Sequence, residues 1–206
     1  MLHKRVCLLV VAGVAALVSV SPLRAGDGAP KWMFGARASL AGPVGPFSDA
    51  SNNGLGLTLF AERRLTERMA YSISVDYVAM GGKESQATVT HNGAVVKVPF
   101  KIDLECVDVM LDYYFRLRSN DCGSYMVLGA GLASCTVRER SAGMTMIASA
   151  PVSLGIGYNF SRNLGAEARY IHQGAKVELM FPTAPTHQTL FSATVQYLTL
   201  GAHYRF

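Results

Sequence analysis

Eight segments of this chain alternate apolar with polar or small residues at a period of two, and no comparable stretch has a helical period. Such alternation places successive side chains on opposite faces of a β-strand. The clearest run extends from Val107 to Arg116, where the odd positions are apolar or aromatic and the even positions include Asp108 and Asp112. The pattern predicts an all-β chain with eight strands, at residues 32–40, 55–64, 71–79, 107–116, 125–135, 152–160, 164–170 and 198–206.

The connections between these strands alternate in length. Short connections follow the second, fourth and sixth strands, at residues 66–68, 118–122 and 161–163. Long connections follow the other strands, at residues 42–53, 81–97, 137–145 and 176–188. Asn92-Gly93 within the second long connection is a strong two-residue turn signal, so this connection is expected to extend as a hairpin. The alternation predicts an up-and-down order of antiparallel strands.

The N-terminus has the three parts of a secretory signal peptide. Basic residues at positions 3–5 precede an uncharged, largely apolar run from Val6 to Val20, and Pro22 and Ala25 then supply a breaker and a small residue for cleavage. The alternative is an N-terminal membrane anchor, although the run is short for a spanning helix. We expect a signal peptide at residues 1–25 and one domain at residues 26–206.

The charge of the chain does not point to a nucleic-acid partner. Removal of the signal peptide would leave 16 basic and 14 acidic residues, without a concentrated basic run. A nucleic-acid partner is therefore not indicated. Residues 26–206 contain no further apolar run of helix-spanning length, so a membrane-spanning structure would have to be a closed barrel.

The polar faces of the strands carry charges of both signs. These charges are Arg37, Glu62, Arg64, Asp76, Asp112, Arg116, Glu167, Arg169 and Arg205. A soluble eight-stranded barrel or sandwich, such as a lipocalin-like binder, would turn them outward, whereas a membrane barrel would turn them into its lumen. The apolar faces end in aromatic pairs beside the short connections, at Tyr113/Phe115, Tyr158/Phe160 and Tyr204/Phe206. Aromatic residues at one level favour the membrane barrel. Its buried charges are then expected to pair as a lumen network.

Several motifs resemble one known family. They lie at residues 60–66, 109–115, 155–160, 164–170 and 204–206. Together they resemble the small eight-stranded bacterial outer-membrane β-barrels of the OmpA/OmpX type. The resemblance implies an antiparallel up-and-down transmembrane β-barrel, monomeric, surrounded by outer-membrane lipid, with both termini in the periplasm. It also implies that Tyr204 and Phe206 form a C-terminal insertion signal read by the barrel-assembly machinery.

The expected function is structural, or surface interaction through the long extracellular loops, with a lumen filled by a charged plug. The alternative is a narrow OmpW-like channel for small hydrophobic molecules, lined by Met33, Phe60, Met110 and Tyr114 on the polar face. The loops also contain Phe47, Met180 and Phe181, whose interpretation as loop packing is favoured over a contact surface. The surface ligand, if any, is not identified by the sequence.

An enzyme is not expected. His172 weakly resembles part of the His-x-Ser motif of outer-membrane lipid A deacylases, but Gly174 occupies the position of the serine nucleophile. His172 is instead expected at the lumen edge or in a loop. Neither a metal-ligand cluster nor a cofactor motif is visible, and the cysteine spacing matches no zinc pattern.

Two cysteines can face one another across neighbouring strands. If the turn after the fourth strand centres between Asn120 and Asp121, Cys106 lies opposite Cys135. Opposed cysteines in an oxidising envelope can form a disulfide. The alternative is two free thiols, because a one-residue slip in register would separate the pair. In either case Cys122 is expected to remain free.

Overall fold

The computed structural model describes residues 32–91, 94–118, 122–139, 143–176 and 194–206. The predicted signal peptide, the turn residues Asn92 and Gly93, and the apolar loop residues Met180 and Phe181 lie outside these ranges. No helix in the described ranges is long and apolar enough to cross a membrane.

Ten β-strands and one short 3-10 helix form the described structure. The strands are β1 (Trp32–Pro43), β2 (Ser51–Arg64), β3 (Met69–Gly82), β4 (Glu84–His91), β5 (Ala94–Arg116), β6 (Gly123–Glu139), β7 (Gly143–Ser149), β8 (Pro151–Asn159), β9 (Leu164–Lys176) and β10 (Thr194–Arg205), and the helix is Gly45–Asp49. All pairings are antiparallel, and β10 pairs with β1 to close the sheet. The closed cylinder has eight strand positions, because β7 and β8 pair with successive parts of β6, and β4 pairs only with the outer part of β5.

The eight predicted strands are confirmed, but their lengths were underestimated. The predicted connection at residues 42–53 is shorter than expected, because β1 continues to Pro43 and β2 begins at Ser51, and only the 3-10 helix and its flanking residues separate these strands. The second predicted connection is a hairpin, as expected, in which β4 pairs with the outer part of β5 up to His91 and Ala94. Gly42, Pro43, Asn52 and Asn53 interrupt the alternation although they lie within β1 and β2, so the periodicity ends before the strands do.

The side chains of the barrel strands point outward and inward in turn. On β2, Leu57 is 53% exposed whereas the neighbouring Thr58 is 3% exposed. The same parity holds on β8, where Leu154 is exposed and Ser153 is buried. The apolar face therefore forms the outer surface, which is the reverse of the soluble barrel considered as the alternative.

The short turns and the C-terminus meet at one end of the barrel, which we call the short-turn end. The backbone N–H of Arg116 donates to the carbonyl of Arg68, and the N–H of Arg205 donates to the carbonyl of Asn163, both at 2.7 Å. The N–H of Phe206 donates to the carbonyl of Phe34 at 2.9 Å. These bonds fix the last strand against both of its neighbours at the point where the cylinder closes.

Candidate functional site: the lumen

Arg37 lies at the centre of an ion-pair network that crosses the lumen. Its Nη2 atom is 2.9 Å from Asp76 on β3, and its Nη1 atom pairs with Glu167 on β9. Nη2 also donates to the hydroxyl of Thr58 at 3.0 Å. The arginine of β1 is thus connected to strands on both sides of it.

Arg169 continues the same network. It pairs with Asp112 at 2.7 Å and with Glu167 at 2.9 Å. All three side chains are buried. Gly129 on β6 leaves the space for this group, because a Cβ at that position would overlap the Asp112 carboxylate. The glycine-rich composition of this strand therefore has a packing reason.

A second ion-pair group lies at the short-turn end of the lumen. Glu62 pairs with Arg116 at 2.6 Å and with Arg205 at 3.0 Å. Arg205 also donates from Nη1 to the side-chain oxygen of Asn159 at 2.9 Å, and His203 contacts the same oxygen at 3.2 Å. The charge beside the C-terminal aromatic therefore has an acidic partner inside the barrel.

The opposite end of the lumen is apolar. The 3-10 helix places Phe47, which is 2% exposed, in a buried cluster with Met80, Leu104 and Val195. Cys106 and Cys135 belong to this cluster, and they are register partners joined by a disulfide with a Cα–Cα distance of 4.1 Å. Phe47 thus packs inside the barrel, in agreement with the favoured interpretation of the loop residues.

A polar group between these levels was missed from the sequence. The Asp108 carboxylate accepts hydrogen bonds from the Tyr197 hydroxyl at 3.0 Å and from the Gln173 side-chain amide at 3.1 Å. Oε1 of Gln173 lies 2.9 Å from Cys135 Sγ. Asp108 has the inward parity, which was the available signal. Gln173 and Tyr197 lie in or next to a predicted loop, where alternation was not read.

A small cavity lies beside the ion-pair network. One cavity has a volume of about 20 Å³ and lies between Arg37, Asp76, Asp108 and Tyr197. That volume is about enough for one water molecule. The cavity is thus a small void lined by polar side chains and by the apolar Val78, Met110 and Ile171.

Eight of the nine predicted lumen charges join the two ion-pair groups. The ninth, Arg64, is half-buried at the end of β2. The residues considered as a channel lining are packed differently. Met110 and Tyr114 are buried, Tyr114 packs against Tyr125 at a centroid distance of 5.5 Å, and Phe60 lies 6.3 Å from the His203 ring.

Two candidate residues remain, His172 and Cys122. His172 lies within β9 between two buried residues, Ile171 and Gln173, so its half-buried side chain has the outward parity. The expectation of a lumen-edge or loop position was therefore wrong, because β9 continues to Lys176. Within the described ranges, histidine, cysteine and carboxylate side chains form no cluster that could hold a metal ion. Cys122 is free and exposed.

The outer surface carries an aromatic row at the short-turn end. Tyr158 and Phe160 pack at 5.4 Å between ring centroids, and Tyr204 and Phe206 at 6.4 Å. Above this row, exposed aliphatic residues surround the barrel. They include Leu40, Leu55, Leu57, Leu59, Val109, Leu111, Leu128, Leu132, Val152, Leu154, Ile156, Leu198 and Leu200. A continuous apolar surface of this kind is stable in contact with lipid and not with water.

Comparisons with known proteins agree with this geometry. No family model matches the chain, and no curated protein sequence matches it. A major outer membrane protein from Thermus thermophilus superposes with a TM-score of 0.56 at 13% identity, covering 85% of this chain and 100% of that one. The N-terminal β-barrel domain of Pseudomonas aeruginosa OprF superposes with a TM-score of 0.53 at 15% identity, covering 86% of this chain and 99% of that one.

Neisserial surface protein A is a third similar structure. Its TM-score is 0.53 at 16% identity, covering 85% of this chain and 97% of that chain. At these identities the likeness concerns the fold. The chain has the fold of the small eight-stranded outer-membrane β-barrels.

Proposed function

We propose that this protein is an integral outer-membrane β-barrel with a closed lumen, which acts through its structure and through the surface at its long-connection end. The observation that carries the proposal is the combination of a lipid-compatible outer surface with an interior filled by paired charges. A barrel of eight strands has an interior just wide enough for side chains to fill.

The closed lumen is supported by three successive layers. The Glu62 group occupies the short-turn end, the Arg37 and Arg169 group occupies the middle, and the apolar cluster with Phe47 occupies the opposite end. Opening a path through the middle layer would separate buried ion pairs, which costs about 3–5 kcal/mol for each charge left unpaired. This cost favours a plug over the narrow channel for hydrophobic molecules.

A role at the cell surface is supported by the hairpin of β4 and β5. Its paired residues run from Glu84 and Lys101 to His91 and Ala94, beyond the part of β5 that pairs with β3. At about 3.4 Å per residue the hairpin reaches about 25 Å beyond the barrel pairing. Loops on a rigid scaffold are common sites of recognition, so we assign the surface interaction to this hairpin. We propose that no reaction is catalysed.

The orientation can be tested by cysteine labelling in intact cells. In a Cys122→Ser background, Lys101→Cys should react with a membrane-impermeant maleimide, because this residue lies on the hairpin. The wild-type Cys122, at the short-turn end, should react only after the outer membrane is permeabilised. Labelling of Cys122 alone in intact cells would contradict the orientation. Recovery of the protein in the soluble fraction would contradict membrane insertion.

A further inference from the structure

Arginines surround the outer rim of the short-turn end. Arg63 is half-buried on β2, and Arg68, Arg118 and Arg162 are exposed in the three short turns. Glu67 is the only acidic residue in the described part of these turns. None of the four arginines forms an ion pair with another described residue. The rim, which we call the arginine rim, is therefore net positive.

Arg63 packs against an aromatic pair formed by Trp32 and Tyr71. Its guanidinium carbon lies 5.8 Å from the centroid of the Trp32 ring, and Trp32 packs edge-on against Tyr71 at 5.6 Å. A guanidinium has five N–H donors, so a ligand with several acceptor oxygens fits this position.

Apolar side chains accompany the arginines in the same turns. Leu65 is 47% exposed, Leu117 is 63% exposed and Phe160 is 60% exposed. From the barrel middle toward its end, the outer surface thus presents aliphatic residues, then aromatic residues, then positive charge. A lipid leaflet presents acyl chains, then an interface, then phosphate, in the same order.

The described residues at the other end of the barrel do not show this excess of positive charge. Asp49, Glu84, Asp103 and Glu105 stand there among lysine residues, and Glu105 pairs with the exposed Arg138 at 3.7 Å. Arg116 and Arg205, which point into the lumen, both pair with Glu62. The four arginines of the rim have no acidic partner of this kind among the described residues, so the rim itself carries positive charge.

We infer that the arginine rim binds the phosphate groups of anionic phospholipids in the leaflet that surrounds the short-turn end. Arginine recognises phosphate through paired N–H groups, which gives it more geometric specificity than lysine. The inference rests on the proposed membrane insertion. A basic residue near an anionic membrane surface strengthens association by roughly fivefold.

The test uses the folded protein in phosphatidylcholine vesicles with a trace of spin-labelled lipid. The measured quantity is the association constant of labelled phosphatidylglycerol relative to that of labelled phosphatidylcholine. The wild type should prefer phosphatidylglycerol by roughly fivefold or more. The triple variant Arg63→Gln, Arg68→Gln, Arg118→Gln should reduce this ratio several-fold, with the remaining preference due to Arg162. The control Arg138→Gln removes one charge at the opposite end and should retain the ratio.

Folding is measured separately, by the gel mobility of unheated and heated samples. A wild type that does not fold or insert would refute the proposed function itself. A wild type that inserts but associates equally with both lipids would overturn only the inference, as would an equal decrease in the Arg138→Gln control. If the triple variant does not fold, the single variants Arg63→Gln and Arg118→Gln should each show a smaller decrease.

A final experiment distinguishes binding of a lipid phosphate from binding of a soluble anion. Inorganic phosphate should reduce the preference no more than sodium chloride of the same ionic strength, because the lipid phosphate is positioned by its acyl chains. A specific competition by inorganic phosphate would show a site for a soluble anion and contradict a lipid site.

Discussion

Arg37 of β1 pairs with Glu167 of β9 across the intervening strand β10, and it pairs with Asp76 of β3 across β2 on its other side. One side chain thus connects strands on both sides of the seam where β10 closes against β1. The seam is formed by strands far apart in the sequence, so its stability depends on contacts that only the closed barrel provides.

Replacing Arg37 should therefore weaken the barrel strongly. Arg37→Met leaves Asp76 without its ion pair and leaves Glu167 with Arg169 alone. Breaking a buried pair by removing one partner costs about 3–5 kcal/mol. The free energy of unfolding is measured in vesicles by urea titration of Trp32 fluorescence. The control Arg138→Met disrupts an exposed pair with Glu105 and should cost less than about 1 kcal/mol. Equal losses for the two variants would contradict the lumen network.

A methyl group at Gly129 should disturb the same network sterically. Gly129→Ala places a Cβ against the Asp112 carboxylate and the Ser153 hydroxyl, so the paired Arg169 has to shift. Overpacking of this kind costs about 1–3 kcal/mol. Gly174→Ala is the matched control, since nothing lies within 4 Å of its added Cβ. Denaturant unfolding of both variants should separate them, and a neutral Gly129→Ala would argue against a filled lumen at this level.

A charge on the outer surface tests the contact with lipid. Leu154 points outward and is 50% exposed, so Leu154→Arg would place a guanidinium against acyl chains. Such substitutions destabilise membrane barrels by about 2–4 kcal/mol near the bilayer centre. Gln86→Arg adds the same charge at an exposed position of β4 and should have little effect. If both variants unfold in vesicles at the wild-type urea concentration, Leu154 does not face lipid.

The disulfide can be tested in the wild-type protein by counting its free thiols. Unfolded, unreduced protein without residues 1–25 should contain one thiol, from Cys122, because Cys106 and Cys135 are bonded. Reduction before unfolding should raise the count to three. Three thiols without reduction would show that the bond is not formed. In the chain-entropy description, a bond that closes a loop of this length contributes about 3–4 kcal/mol of stability, so Cys135→Ser should lower the urea midpoint.

Alternation predicted which residues face lipid and which face the lumen, because side-chain parity in a strand does not depend on tertiary contacts. Leu57 and Thr58 illustrate this, since their faces were assigned correctly and their burial differs as expected. Parity could not predict which charged residues pair with one another in the lumen. Arg205 was expected to need an acidic partner, but its pairing with Glu62 depends on barrel closure between β10, β1 and β2.

Strand ends and the apolar lumen layer were not predictable in this way. Gly42, Pro43, Asn52 and Asn53 are of residue types that usually mark loops, yet they lie within β1 and β2. Phe47 enters the lumen because the 3-10 helix turns inward, and no local pattern specifies that direction. Asp108 had the correct parity, but its partners Gln173 and Tyr197 lie beyond the predicted strand ends.

The conductance of single barrels in a planar lipid bilayer tests the central claim of a closed lumen most directly. The folded wild-type protein, with insertion verified by gel mobility and fluorescence, should give no stable conductance step. We expect this result because the lumen holds the ion-paired middle layer and the Phe47 cluster. A large and stable conductance from the same preparation would contradict the plug and would favour the channel.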